Sequence, residues 1–341
     1  MESTQVAVDL AKSVFEIAVS HEVGRVAEHR RLNRSQFRRF LEEQEPSEIL
    51  MEACGTAHYW GRECRAMGHR VRVLPAGDVR RYRDGNKTDR TDTKALLEAA
   101  RNDAIDAVPV KSEEQQAIAA LHRIRSGYLQ TRTARINAVR GHLREFGVTI
   151  PPGARKVVPS ARSALEQGAV PELLGEILLE LLDDIERLAA RAKDIEKRLE
   201  RLTRHMPQTR HLMSVPGIGV LTATALIAFV GDIRRFPSCR SFADYLGLTP
   251  REHSSGAVRR LGRITKRGNT YLRMLLIHGA RSALRAGMMT DEPDDLRTWA
   301  LKVKDRKGFN LAAVALANKL ARVAWRVWRD QRDFEPRPAA T

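Results

Sequence analysis

Four carboxylates stand where they could hold a divalent metal. Asp9 ends the apolar run Val6-Ala7-Val8, and Glu52 ends Ile49-Leu50-Met51. Asp89 and Asp92 lie in Gly85-Asn86-Lys87-Thr88-Asp89-Arg90-Thr91-Asp92, just ahead of a helical pattern at 93–101. A carboxylate at the end of a buried strand is costly unless a cation meets it. Two strand ends plus an i,i+3 pair could converge on Mg²⁺, which takes a few carboxylates together with water and phosphate oxygens. Two such ions can hold the attacking and leaving oxygens of a phosphoryl transfer. Each acid alone also has a plain reading: Asp89 or Asp92 could cap a helix, and Asp9 could begin a turn.

Two further groups point to phosphate. Ser214-Val215-Pro216-Gly217-Ile218-Gly219 precedes a helical run, Leu221–Ile227. Glycines at that position let backbone N–H groups point at an anion where the helix begins, a contact blind to sequence. This is the helix-hairpin-helix pattern, with Pro216, Gly217 and Gly219 as its phosphate-binding residues, and the alternative is a plain glycine turn between core helices. Residues 251–285 hold nine Arg or Lys and one acid, Glu252. Within them lies His253-Ser254-Ser255-Gly256. A serine on a flexible loop among arginines could attack a phosphodiester, the guanidinium groups stabilising the developing charge, with His253 as a possible base. The same four residues also read as a simple flexible loop.

These residues need a scaffold, and the pattern along 341 residues supplies one. Short strands around Val6–Val8, Phe15–Val19 and Val26, then Glu48–Glu52 and Arg70–Leu74, alternate with helical patterns at 35–44 and 56–67, which predicts a mixed α/β sheet over 1–110. Residues 112–146 form one long amphipathic pattern. From Leu174 to Met206 apolar residues recur in alternating steps of four and three. That seam predicts a helix partner, either a second copy or the chain's own 112–146 helix. A mainly helical region follows over 207–330, closing with a helix at 311–329. The tail 331–341 is expected to be disordered. The loop 147–170 carries no motif.

Composition narrows the class. Lys and Arg number 59 against 42 Asp and Glu, a formal charge of +17 that favours polyanions. Arginine dominates the cations; its fork suits phosphate, although codon usage would also enrich it. Cys54, Cys64 and Cys239 are odd in number and lack metal spacing, which excludes a disulfide scaffold and a zinc finger and fits a reducing cytoplasm. The uncharged stretch 211–231 is long enough to span a bilayer, but its Pro and Gly residues argue for the hairpin instead.

Taken in order, Asp9, Glu52, Lys87–Asp92, Ser214–Gly219, Gly231-Asp232, Phe236, Tyr245–Pro250, Ser255-Gly256, Leu261–Asn269 and Tyr271-Leu272-Arg273 resemble the DEDD transposase family of insertion sequences (the IS-one-ten group, also called bridge recombinases). The His253–Gly256 string is similar to its IS-eleven-eleven branch. The resemblance implies an N-terminal RuvC-like (ribonuclease H-like) α/β domain over 1–110 and a coiled-coil helical middle over 111–206. It implies a mainly α C-terminal transposase domain with a helix-hairpin-helix element over 207–330. It implies Mg²⁺ (or Mn²⁺) held by Asp9, Glu52, Asp89 and Asp92. A serine before Gly256, assigned to Ser255 with Ser254 beside it, would form a covalent phosphoserine. Donor and target DNA and a structured guide (bridge) RNA would be partners, with Arg259, Arg260, Arg263, Lys266, Arg267 and Arg273 on their backbones. The chain would act as a homo-oligomer, a dimer or tetramer, in the bacterial cytoplasm, without a membrane. Two rival readings stand beside this one: a metal-dependent nuclease of junction-resolvase type that uses water, and a non-catalytic nucleic-acid-binding protein.

Overall fold

A computed structural model describes residues 4–22, 25–86, 88–256 and 258–336. Lys87 of the Lys87–Asp92 motif and the last five residues lie outside these. The chain divides into two compact units, Met1–Glu114 and Gln115–Thr341.

The first unit is built on five strands: β1 (Gln5–Leu10), β2 (Val14–Ser20), β3 (Glu28–Asn33), β4 (Glu48–Glu52) and β5 (Arg70–Leu74), in the order β3-β2-β1-β4-β5. β1 pairs antiparallel with β2 and parallel with β4. The expected strand at Val26 is displaced to β3, an exposed edge strand of sequence EHRRLN. It has no apolar alternation to read, and its charges guard a sheet edge against further pairing.

Side chains alternate across a strand, so β1 sends Val6 and Val8 to one face and Ala7 and Asp9 to the other. The first face packs on α1 (Arg34–Glu43) and α2 (Ala57–Ala66) through Phe15, Phe37 and Trp60, whose rings meet edge-on at 4.9–5.3 Å. α3 (Ala76–Val79) follows β5. The second face carries the small residues Ala7 and Ala18 with Leu50 and Leu74. These admit α4 (Asp89–Ala100), which lays Ala95, Leu96, Ala99 and Ala100 on them. α4 thus starts at Asp89, four residues before the expected helix, because Thr88 caps it there.

The second unit is helical. α5 (Glu113–Glu145) enters it, followed by α6 (Val157–Glu166) and α7 (Glu172–Thr203). The heptad seam of α7 finds its cover in its own chain. Leu178 and Ile185 are buried with Ile136, Val139 and Leu143 of α5 and Val157 and Ala161 of α6. Ile195 and Leu199 enter the large core that holds Ile118 of α5. That core continues through α8 (Pro207–Met213), α9 (Val220–Val230), α10 (Cys239–Tyr245), α11 (Thr270–Gly287), α12 (Asp295–Lys307) and α13 (Phe309–Asp330). Between α10 and α11 a two-stranded hairpin, β6 (Pro250–Glu252) and β7 (Leu261–Ile264), stands out from the helices. The start of the expected disordered tail is held: Phe334 packs on the core, its N–H donates to Ser214 Oγ at 2.7 Å, and Asp333 meets His211 at 2.7 Å. No helix among the described residues is long and apolar enough to cross a membrane; the 211–231 stretch is α8, a glycine turn and the buried α9.

Candidate active site

The sheet positions two of the four acids by register alone. Val8 pairs with Met51, so Asp9 and Glu52 follow one step later on neighbouring parallel strands. They share the parity of Ala7 and Leu50, and so lie on the α4 face of the sheet. The direction of α4 is fixed at both ends. At its start Arg90 lies 3.8 Å from Glu16, the residue opposite Asp9 in register; at its end Ala100 O accepts from Arg72 at 2.9 Å. The first turn of α4, with Asp89 and Asp92, therefore lies over the strand ends that carry Asp9 and Glu52.

Neither aspartate is spent on capping. Thr88 Oγ1 accepts from Thr91 N at 3.2 Å, and Thr91 Oγ1 accepts from Thr88 N at 3.0 Å, a complete capping box. Both carboxylates are instead favoured by the positive end of the helix dipole. Asp92 forms a 2.5 Å ion pair with Arg83, close but not aligned as a hydrogen bond. Asp89 lines a cleft of about 380 Å³ together with Glu16, Arg30, Arg31 and Arg90. Carboxylate oxygens are the kind of ligand that Mg²⁺ or Mn²⁺ takes. Among the described residues no three His, Cys, Asp or Glu side chains stand close enough together to hold an ion. A metal and Arg83 would compete for Asp92.

Glu16 was not singled out from the sequence. It is 9% exposed, and it faces His29 at 4.0 Å as well as Arg90. The signal was present: an acid interrupting Val14-Phe15-Glu16-Ile17, a strand otherwise buried from Phe15 onward.

In the helical unit the Pro216–Gly219 turn precedes α9 as expected, but its glycines do different things. Gly217, at φ +88°, lies against Gly279 of α11; a Cβ on Gly217 would fall 2.5 Å from Gly279 O, and one on Gly279 only 1.9 Å from Gly217 O. Gly217 is therefore a packing residue. Gly219 is the exposed N-cap of α9, with open space around it and no side chain capping the helix. Its helix leaves first-turn N–H groups for an anion. Pro216, ahead of both, is half-buried.

Arg273 is corrected by its surroundings. It is 7% exposed and donates to Leu246 O at 3.1 Å, Arg267 O at 2.7 Å and Thr270 Oγ1 at 3.2 Å. It ties the 245–249 loop to the 265–268 loop and is not available to a phosphate. Burial lowers its pKa from the usual arginine value. The same knot holds Lys266 in the left-handed region at φ +57°, its N–H donating to Gly247 O at 3.1 Å. Such a backbone costs a non-glycine residue roughly 1–3 kcal/mol. Arg259, Arg260, Arg263, Lys266 and Arg267 are exposed, as expected of backbone contacts.

The hairpin distinguishes the two serines. Ser254 Oγ donates to Glu252 Oε1 at 2.7 Å and accepts from Arg260 N at 3.1 Å, while Arg259 Nε reaches the same Oε1 at 3.1 Å. The Ser254 hydroxyl and Arg259 hold the Glu252 carboxyl below its ordinary pKa. Among the described residues Ser255 is bound through its backbone alone, its N–H and C=O both paired with Val258 at 3.2 Å, and its side chain is exposed. His253 donates its N–H to Arg260 O at 2.9 Å, a hairpin bond.

A DEDD-type IS110 transposase family model matches residues 6–148, and a model described as the transposase IS116/IS110/IS902 family matches residues 209–293. A probable family 20 transposase of Pseudomonas aeruginosa is 40% identical over 339 residues, covering 98% of this chain and 100% of the relative. The transposase for insertion sequence element IS1111A of Coxiella burnetii is 36% identical, covering 96% and 90%. The transposase for IS1328 of Yersinia enterocolitica is 32% identical, covering 94% and 96%.

Proposed function

The chain belongs to the IS110 family of insertion-sequence transposases, and from that premise we propose that it recombines DNA through a covalent phosphoserine at Ser255. A DNA transposase must cut and rejoin phosphodiesters. Two features of this chain suit that chemistry, an α/β unit with acids along one face and a helical unit with a basic hairpin. In the step we propose, Ser255 Oγ attacks the scissile phosphorus. The Oγ–P bond forms and the bond to the 3′ oxygen breaks. The serine proton is passed on, and the 3′ oxygen leaves as a hydroxyl. Bond energy is kept in the phosphoserine, so a second 3′ hydroxyl can displace Ser255 without ATP.

Asp9, Glu52, Asp89 and Asp92 would hold Mg²⁺ or Mn²⁺, which when bound polarises phosphoryl oxygens. The chain's own groups orient the substrate. Arg259, Arg260, Arg263, Lys266 and Arg267 would take phosphate oxygens around the hairpin, and the open N-terminus of α9 at Gly219 would take one more. The reading extends to a guide RNA and to a homo-oligomer in which the serine of one copy serves the carboxylates of another; both rest on family resemblance.

The single observation that carries the proposal is the hairpin's treatment of its two serines. Ser254 is committed to Glu252 and Arg260, which leaves Ser255 as the displayed hydroxyl in the basic segment. A water-using nuclease gives no role to that arrangement. The RNA-guided part is tested by recombination between supercoiled donor and target plasmids, with and without RNA transcribed from the element's flanks. Recombinant product is expected only with the RNA. Equal product in its absence would remove the guide from the mechanism and leave the serine chemistry standing.

A further inference from the structure

α12 and α13 enclose a groove of about 920 Å³ that the proposed chemistry does not use. Two helical stripes form its walls, and Cys239 and residues 332–336 line it as well. α12 contributes Asp295, Trp299 and Lys302; α13 contributes Lys319, Arg322 and Arg326 at steps of three and four. At ~1.5 Å per residue the α13 stripe runs about 10 Å. That is long enough to follow roughly three phosphates of one stacked strand, at about 3.4 Å each.

The cations at the centre of the groove lack counter-charges. Lys302, Lys319 and Arg322 meet no carboxylate at ion-pair distance among the described residues, whereas Arg326 at the end of the stripe pairs with Asp330 at 3.5 Å. Lys319 Nζ instead lies 3.8 Å above the Trp299 ring. Arg322 Nε is buried with no hydrogen-bond partner among the described residues. Burial, and then the charge of Arg322, lower the Lys319 pKa, with Asp295 acting the other way. Two of the remaining acids are engaged elsewhere, Asp294 as the cap of α12 and partner of Arg297 at 3.4 Å and Asp333 as partner of His211, while Glu335 also lines the groove. Holding two cations side by side, partly desolvated, is unfavourable until an anion arrives.

We propose that this groove binds the phosphodiester backbone of a single nucleic-acid strand, with Lys302, Lys319 and Arg322 on successive phosphates. The occupant is backbone rather than base because the cations without counter-charges, Lys302, Lys319 and Arg322, offer ammonium and guanidinium donors, although Asp294, Asp295, Asp333 and Glu335 also line the groove. The inference does not depend on Ser255, and its test involves no chemistry.

The test is the salt dependence of binding by the full chain. Labelled single-stranded RNA, single-stranded DNA and duplex DNA are titrated across a range of salt. The variant Lys302→Gln/Lys319→Gln/Arg322→Gln is compared with Arg144→Gln/Arg155→Gln/Lys156→Gln, which removes the same charge from exposed sites in the helical middle. Losing three single-strand contacts should reduce the slope of log K against log salt by roughly 2, at about 0.7 per phosphate. That loss is expected for the groove variant and not for the control, and Lys319→Arg/Arg322→Lys should restore the slope. The RNA and DNA arms identify which strand lies there. A groove variant that matches wild type in all three arms, or that loses no more than the control, overturns the proposal. So does a loss that the charge-keeping variant fails to restore.

Discussion

Ser254 and Ser255 are neighbours in sequence and opposites in structure. One hydroxyl is bound on both sides, by Glu252 and by the Arg260 N–H; the other is exposed. Ser254 then acts as a staple that sets the hairpin tip. Each lost hydrogen bond of this kind is worth ~1 kcal/mol, and 1.36 kcal/mol is tenfold in rate. Ser254→Ala and Glu252→Gln should therefore slow DNA cleavage by about 5- to 30-fold while covalent attachment persists, measured as the rate of adduct formation; a complete loss of adduct in Ser254→Ala would make Ser254 the nucleophile. The sequence assigned Ser255 only by its place directly before Gly256, with Ser254 beside it, because residue order does not show which hydroxyl is hydrogen-bonded. It also counted Arg273 among the phosphate contacts, because charge in a sequence does not reveal burial. Glu16 was overlooked for the converse reason: one acid in an apolar strand is easily read as a face change.

At the scale of elements, the helix-hairpin-helix turn combines two requirements in two glycines. Gly217 must be glycine because α11 comes within contact of its backbone; Gly219 need not be, having open space and an extended φ of −97°. Gly217→Ala should destabilise the protein by more than about 2 kcal/mol, and Gly219→Ala by less than about 1 kcal/mol, in urea unfolding. Equal losses would contradict the division of roles. His122 of α5 joins three helices, its ring nitrogens lying 3.1 Å from Thr224 Oγ1 of α9 and 3.0 Å from the Tyr271 hydroxyl of α11. Burial pushes its pKa down to about 4. The unfolded chain then binds more protons than the folded one between that pH and the ordinary histidine value. The stability contributed by neutral His122 is complete above about pH 6.5 and is lost as pH falls towards 4, to an extent of about 3 kcal/mol. In His122→Gln this part of the acid sensitivity should vanish from urea midpoints taken at pH 5 and 7.5; an unchanged difference would refute the assignment. The strands β1, β2, β4 and β5 and the long helices were legible because period-2 and period-3.6 patterns mark buried faces. β3 was not, since an exposed edge strand has no face to mark.

For the whole molecule, a net charge of +17 says only that a polyanion is near. The fold distributes it into distinct places: the hairpin arginines, the α12–α13 groove, and Arg30, Arg31 and Arg90 beside the carboxylate face. The heptad seam shows what a pattern leaves open: it announced a partner helix, and the partner is within the same chain. The central claim is that DNA becomes covalently bound to Ser255. The direct measurement is denaturing electrophoresis of the full chain with Mg²⁺, guide RNA and labelled donor DNA, followed by peptide mass spectrometry of the shifted band. The expected result is a nucleotide-bearing peptide modified at Ser255, absent from Ser255→Ala and from Asp9→Asn although both still bind RNA. Nicked DNA with no protein attached, or an adduct that survives Ser255→Ala, would contradict it.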